Sequence, residues 1–310
     1  MRTDDGSAAR MSRRVRVFRV DAFCTRAFAG NPAAVVPEAQ SLTDDEMQAL
    51  TRELGGVDAA FVLPADADDH ELRLRFYTPR AETGFVGHAT IAAHAVLEAL
   101  GRAPCRRQKQ RGGVVEIERL DSAAGRQYAF SQPPPPATGA LSSDRLSPML
   151  TALGLSVDEL DPQLPAVLAG SGASRALIAV RSGATLARLR PDDAALLALT
   201  AAGNPSGYFL YTREPAQADC DTEARMYCPA IGIREDPVSG NAHALLAAYL
   251  HALGKMPGQP GTLEFIGRQG HHLRRPGVLS VRVDVAGGAV RRVRVAGAAV
   301  IVMDAHIDLP

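Results

Sequence analysis

The chain repeats one pattern in its two halves, and this repeat constrains its fold more than any other feature. In the first half Tyr77-Thr78-Pro79 precedes Gly87-His88-Ala89, and in the second half Tyr227-Cys228-Pro229 precedes Gly240-Asn241-Ala242. Each Gly triplet opens an apolar, alanine-rich segment that ends at a glycine thirteen residues after the triplet's second residue. Two alanine-rich helices with glycine caps can look alike by chance, but the shared lead, start and length favour a true internal repeat.

The repeat predicts an α+β protein with two pseudo-symmetric lobes. Both alanine-rich segments are apolar on nearly every face, so we expect buried helices rather than helices with one solvated side. Segments such as residues 72–77 alternate apolar and polar side chains, which is typical of half-buried strands. We therefore predict that each lobe is a curled sheet or barrel around one central helix.

A run of four prolines at residues 133–136 predicts the boundary between the lobes, because proline cannot pair inside a sheet and favours an extended linker. Residues 15–131 then form the first lobe and residues 132–297 the second. Residues 1–14 are mostly polar and are predicted to be a flexible start.

Composition and charge argue against several classes of function. Basic and acidic residues number 34 each, so no overall field draws the chain to nucleic acid or to an anionic membrane. The four cysteines lack C-x-x-C spacing, so no metal site is predicted. The first residues lack the apolar core of a signal peptide, and no apolar stretch is suited to spanning a bilayer. We therefore expect a cytoplasmic protein with reduced thiols.

The starts of the two repeated helices are predicted to bind a small anion. A buried helix start presents unpaired N–H groups and a partial positive charge, and glycine lets a ligand approach the backbone. Two such starts facing each other across a cleft suit a carboxylate, and no P-loop or G-x-G-x-x-G sequence is present there to indicate phosphate. The predicted substrate-binding residues are Gly87, Ala89, Thr90, Gly240, Asn241 and Ala242.

Four polar residues near these starts are candidates for chemistry, and each also has an ordinary structural explanation. Asp58 follows two glycines and fits a turn. His88 and Asn241 are repeat partners at helix starts, where N-cap residues are common. Asp236 precedes a proline, which favours a turn. Their common placement around the repeat favours a functional cluster, with Asp58, His88 and Asp236 as the candidate catalytic residues.

Three segments of the chain resemble the PhzF-like family, named for an isomerase of phenazine biosynthesis. They are residues 20–33, Gly87-His88-Ala89-Thr90 and residues 225–242. The resemblance covers about residues 15–309, and Asn241 matches the YddE-like branch of the family. It implies a fold similar to that of diaminopimelate epimerase, which agrees with the internal repeat.

The resemblance also implies that the protein is a homodimer and that residues 298–310 return to the first lobe. In the namesake enzyme a glutamate moves a proton within a dihydro-hydroxyanthranilate, without metal or organic cofactor. The matching position here is Asp58, and the partner positions match His88 and Asp236. Aspartate shortens the side chain by one methylene, so the ancestral reaction is in question, because proton transfer needs hydrogen-bond reach.

We therefore predict a cofactor-independent isomerase that moves a proton on a small carboxylate-bearing metabolite by acid/base catalysis between the lobes. A catalytically weak or inactive binder of small anions is the alternative, motivated by Asp58 and by the neutral Asn241. A hydrolase or lyase is disfavoured, because the sequence contains no G-x-S-x-G or H-E-x-x-H motif. A racemase with two thiols is disfavoured, because His88 and Asn241 stand where the related epimerases place cysteines.

Overall fold

A computed structural model of the chain describes residues 13–122, 125–133, 139–170, 174–203, 205–259 and 262–309. Of the predicted flexible start, residues 1–12 lie outside the described residues. Arg13 and Arg14 correct that prediction, because both already belong to the first strand and pair with Leu309 and Asp308 of the last strand. Backbone hydrogen bonds of the sheet therefore order two polar residues that their composition alone assigned to a flexible segment.

The first half of the chain alternates strands with helices. Its elements are β1 (Arg13–Ala22), β2 (Asn31–Val36), α1 (Asp44–Glu53), β3 (Asp58–Pro64), β4 (Leu72–Tyr77), β5 (Glu82–Thr83), α2 (Gly87–Ala99), β6 (Arg107–Gln110), β7 (Gly113–Ser122) and β8 (Gly125–Gln132). Helix α1 begins after Thr43, whose side chain forms a reciprocal capping box with Glu46. Gly55 and Gly56, both at positive φ, then turn the chain into β3.

The second half repeats this alternation with more helix. Its elements are β9 (Gly139–Ala140), α3 (Ser143–Leu153), β10 (Val167–Ala169), β11 (Arg175–Ala179), α4 (Gly183–Arg188), α5 (Asp193–Ala201), β12 (Gly207–Thr212), β13 (Thr222–Cys228), β14 (Ile233–Asp236), α6 (Gly240–Ala252), β15 (Gly258–Gln259), β16 (Thr262–Gln269), β17 (Gly277–Ala286), β18 (Ala289–Gly297) and β19 (Ala299–Leu309). The pattern Ser156-Val157-Asp158-Glu159 is typical of a helix start, but only a single 3₁₀ turn forms there, Val157–Glu159, because Leu160 next forms a β-bridge with Val180.

Strand pairing follows the same scheme in both halves. In the first, β2 is parallel to β3, β3 antiparallel to β4, β4 parallel to β6 and β6 antiparallel to β7. In the second, β11, β12, β13, β16 and β17 pair in the same alternation. The predicted α+β fold with two pseudo-symmetric halves is confirmed.

The two sheets are joined through β7. Its first residues pair with β6, its later residues pair with β8, and β8 pairs with β18 of the second sheet. The chain therefore changes sheet before the lobe boundary that we predicted after residue 131, because the strand preceding the prolines is already paired in the second sheet. Of the proline run at 133–136, residues 134–136 lie outside the described residues. The final strand β19 returns to pair with β1.

The two repeated helices, α2 and α6, are the central helices of the halves. Most of their residues are buried, as predicted from their apolar faces. Helix α2 packs against β1, β2, β3, β8 and β19, and α6 packs against β17 and β18. In the described part of the chain, no helix has both the length and the apolar character needed to cross a membrane.

Candidate active site

Asp58 is the first residue of β3, and the alternation of side chains along this strand turns it toward α2. Ala60 and Val62 pack with α2 in one apolar cluster, whereas Ala59 and Phe61 pack with α1 on the opposite face. Because successive side chains point to opposite faces of a strand, Asp58 shares the face of Ala60 and Val62. Its carboxyl therefore lies at the start of the central helix.

The Asp58 carboxyl and the His88 imidazole are neighbours at that helix start. Oδ2 of Asp58 lies 3.8 Å from Nε2 of His88, and the two side chains are 14% and 13% exposed. The separation is longer than a hydrogen bond, so the two groups face each other without being directly bonded.

Burial changes the protonation of both groups. It raises the pKa of Asp58 to about 7, and the negative charge of Asp236 adds to the rise. Burial lowers the pKa of His88 to about 4. At neutral pH the carboxyl is therefore divided between its two protonation states, whereas the imidazole is uncharged.

Asp236 reaches the same place from the second half of the chain. Its Oδ1 accepts a hydrogen bond of 2.7 Å from Nδ2 of Asn31, which also donates to the carbonyl of Val238 at 2.9 Å. Burial raises the pKa of Asp236 to about 6, and the hydrogen bond from Asn31 opposes that rise. Because the charge of Asp236 acts on Asp58, the fold brings together the predicted catalytic residues Asp58, His88 and Asp236.

Both helix starts rest on the ring of Phe130 in β8. A Cβ added to Gly87 would lie 2.7 Å from Cζ of Phe130, and one added to Gly240 would lie 3.3 Å from the same atom. Ordinary carbon contacts are about 3.5–4.0 Å, so the ring of Phe130 can lie this close to both helices only because neither residue has a side chain. The two predicted anion-binding helix starts therefore meet over one aromatic ring.

The other predicted binding residues differ in what they can offer a ligand. Ala89, Thr90 and Ala242 have buried side chains, the amide of Thr90 bonds within its helix, and the amide of Ala242 donates to Oγ of Ser239. Asn241 is exposed, unlike its repeat partner His88. The donors that helix geometry leaves for a ligand are mainly the amides of the first residues of α2 and α6.

Two further residues of this region were not identified from the sequence. Asn31 lies in the segment 20–33 that resembles the family but is not among the predicted site residues, although it orients Asp236 from the opposite half of the chain. Gln269 donates from Nε2 to the carbonyl of Asp236 at 2.6 Å and accepts at Oε1 from the amide of Ser239 at 3.1 Å. No motif surrounds Gln269, so only its position in the fold shows that it holds the segment before α6.

Comparison with known proteins assigns the chain to a family. The family profile described as Phenazine biosynthesis-like protein, PhzC-PhzF, matches residues 20–305. The chain belongs to the PhzC-PhzF family. The uncharacterized isomerase YddE of Escherichia coli K12 is 34% identical over 293 residues, which are 94% of this chain and 97% of that relative. The resemblance inferred from the three sequence segments is confirmed.

Solved structures agree with this placement. A phenazine biosynthesis protein of the PhzF family from Bacillus anthracis covers 96% of this chain and 100% of its own, with a TM-score of 0.86 at 24% identity, a likeness of fold. A predicted epimerase from Pseudomonas aeruginosa, PA4716, covers 95% of this chain and 99% of its own, with a TM-score of 0.74 at 27% identity. Like its PhzC-PhzF relatives, the chain is an isomerase-type enzyme.

Proposed function

We propose that this PhzC-PhzF protein is a cofactor-independent isomerase that moves a proton on a small carboxylate-bearing metabolite, with Asp58 as the proton carrier. The observation that carries the proposal is the buried Asp58 carboxyl, with a pKa of about 7, beside His88. An acid/base group works best when its pKa lies near the operating pH. The carboxylate accepts a proton from one substrate carbon, and the resulting carboxyl returns it at another position.

His88 and Asp236 have supporting roles in this proposal. His88 is uncharged at neutral pH because burial lowers its pKa to about 4, so it orients Asp58 or donates a hydrogen bond to the substrate. Asp236, with a pKa of about 6, is mostly ionised at pH 7 and is oriented by Asn31. A fixed carboxylate of this kind suits a positively charged amino group, which would make the substrate amino-acid-like.

The substrate carboxylate is placed at the two helix starts. Gly87 and Gly240 allow both helix starts to approach Phe130 closely, and the first amides of α2 and α6 lack partners within their helices. The partial positive charges of both helix ends favour an anion there. This arrangement fixes the substrate by its carboxylate and leaves its reacting carbon near Asp58.

Aspartate at position 58 bears on which substrate fits. The resemblance places a glutamate there in the namesake enzyme, and the aspartate reaches one methylene less far. For hydrogen-bond reach, the substrate carbon has to lie closer to β3. We therefore expect the Asp58→Glu protein to have a different substrate preference from the natural chain.

Proton exchange with solvent tests the proposal directly. The protein is incubated in D2O with small amino acids, hydroxy acids and dihydro-hydroxyanthranilate, and deuterium at carbon is followed by mass spectrometry and NMR. We expect exchange or isomerisation with at least one acid, and a loss of roughly 10²–10⁴-fold in the Asp58→Asn protein. The His88→Ala protein should be slower than the natural chain. Asp45→Asn, which changes an exposed aspartate of α1, is the matched control and should keep the full rate.

The alternative function is a binder of small anions without catalysis, favoured by the exposed, uncharged Asn241 at the second helix start. Saturable binding of acids with no exchange on any of them would support this alternative. Full exchange in the Asp58→Asn protein would overturn the role of Asp58. The cytoplasmic location, the homodimer and the absence of nucleic-acid and membrane partners stay predictions.

A further inference from the structure

The two halves of the site carry different side chains at equivalent strand positions. In the first half Ala33 of β2 lies beside Asp58 of β3, and in the second half Arg175 of β11 lies beside Gly207 of β12. The equivalence follows from register, because Asp58 and Gly207 each precede the residue that pairs with the tyrosine of the repeat. Gly207 therefore occupies the position equivalent to Asp58, and the cationic Arg175 lies on the neighbouring strand beside it.

The Arg175 side chain lies across Gly207. A Cβ added to Gly207 would be 2.8 Å from Cδ of Arg175 and 2.9 Å from Sγ of Cys228, closer than side chains normally approach. Nη1 of Arg175 donates to Oγ of Ser206 at 2.7 Å and to the carbonyl of Ser174 at 3.2 Å. The arginine is therefore held in place, in space that exists because residue 207 has no side chain.

Arg175 is on the face of β11 that looks toward the central helix of the second half. Leu177, two residues further along the strand, belongs to the apolar cluster that includes α6. The positive charge reaches the site: burial raises the pKa of Asp236 to about 6, and both Asn31 and Arg175 oppose the rise. Burial raises the pKa of the Cys228 thiol, and the charge of Arg175 opposes that rise as well.

An anion entering this cleft meets the negative charge of Asp236 and an uncharged His88. A cation on the wall of the second half offsets that repulsion, and the guanidinium fork matches a carboxylate in geometry. We propose that Arg175 binds the carboxylate of the substrate together with the start of α6. The substrate is then an organic acid whose carboxylate lies on the side of the second half and whose exchanging carbon faces Asp58.

The orientation of the exchanging carbon rests on the proposed isomerase function, whereas carboxylate binding by Arg175 does not. Binding is therefore measured separately from exchange. Titration calorimetry compares each acid with its uncharged amide, using the pairs anthranilate and anthranilamide, and proline and prolinamide. The natural protein should bind at least one acid more tightly than the corresponding amide.

Substitutions at Arg175 and Gly207 then test the residue. Arg175→Gln should weaken binding of the acid by about 10- to 100-fold and leave the amide unchanged, the cost of losing a charged hydrogen bond. Arg175→Lys keeps the charge without the planar fork and should lose less. Gly207→Ala leaves the charge unchanged but displaces the arginine, so it should also weaken binding of the acid. Arg291→Gln, on an exposed position of β18, is the charge-matched control and should have no effect.

If the natural protein binds no acid more tightly than its amide, or if Arg175→Gln keeps the preference, the proposal is wrong. If Arg175→Gln does not fold, Arg175→Lys and Gly207→Ala carry the test, and unchanged binding in both overturns it. Loss of the acid preference without any proton exchange would support Arg175 and contradict the isomerase. Proton exchange with an unchanged KM in Arg175→Gln would support the isomerase and contradict carboxylate binding by Arg175.

Discussion

The two central helices begin in the same way but present different chemistry. At the start of α2, Val86 provides no side-chain cap, and His88 is largely buried beside Asp58. At the start of α6, Ser239 caps the helix through the amide of Ala242, and Asn241 is exposed. The start of α2 therefore has no side-chain cap on its backbone amides and carries the titratable pair Asp58 and His88. The start of α6 has one amide capped by Ser239 and lies near the charged groups of Asp236 and Arg175.

What the halves share is the frame around those starts. In the first, Arg75 makes a two-point ion pair with Glu82 and lies over the ring of Tyr77. In the second, Arg225 makes the same pair with Glu235, and its guanidinium lies over the tyrosine of that repeat. The repeat therefore retains the residues that place the helix starts and differs in the residues that face the cleft.

The largest effect that we expect on stability comes from Asp58→Asn. Folded Asp58 holds its proton up to about pH 7, whereas the unfolded chain releases it near pH 3.8, so stability falls as the pH rises between these values. At about 1.4 kcal/mol per pKa unit, ionised Asp58 costs roughly 4 kcal/mol above pH 7. Urea unfolding should show Asp58→Asn to be more stable than the natural chain at pH 8, with the difference vanishing near pH 4. An equal difference at both pH values would refute the burial argument.

Asp236→Asn should show a smaller gain at high pH, because the pKa of Asp236 is raised only to about 6 and asparagine can still accept the hydrogen bond from Asn31. It should also shift the pH midpoint of exchange to lower values, since the charge of Asp236 helps to raise the pKa of Asp58. The pH profile of exchange in both proteins checks this. An unchanged midpoint would mean that Asp236 has no electrostatic effect on Asp58.

The two glycines on Phe130 should tolerate alanine to different degrees. The new methyl of Gly87→Ala meets Cζ of Phe130 at 2.7 Å, whereas the atoms nearest to that of Gly240→Ala, on Phe23 and Val295, are 3.2 Å away. We expect a cost of about 1–3 kcal/mol in the free energy of unfolding for Gly87→Ala, typical of overpacking, and a smaller one for Gly240→Ala. Denaturant unfolding of both proteins gives the comparison. A larger cost at Gly240 would contradict the close contact at the first helix start.

The smallest effect should come from the cap. Ser239→Ala removes the hydroxyl that accepts from Ala242, with a typical cost of about 1 kcal/mol. Ser142→Ala is the matched control, because the side chain of Ser142 makes no capping hydrogen bond at the start of α3. Thermal unfolding of the two proteins distinguishes them, and similar melting temperatures would argue against a stabilising cap at α6.

Local patterns in the sequence predicted much of the fold. The apolar segments after Gly87 and Gly240 predicted two buried helices of equal length, and the matching leads predicted two similar halves. These features depend on residues close together in the chain, where periodicity and turn chemistry act. Helix α3 was not predicted at all. It contains Pro148, which disfavours a helix interior in the sequence, although its Met149 and Leu150 are buried in the structure.

The sequence by itself determined the repeat, the central helices, the family and the candidates Asp58, His88 and Asp236. Tertiary structure alone decided the protonation of those groups, because a pKa depends on burial and on charges that are distant in the chain. It also decided which partners support them: Asn31 reaches Asp236 across 205 residues, and Gln269 reaches it across 33. Likewise, the place of Arg175 over Gly207 follows from strand register, which local sequence does not specify.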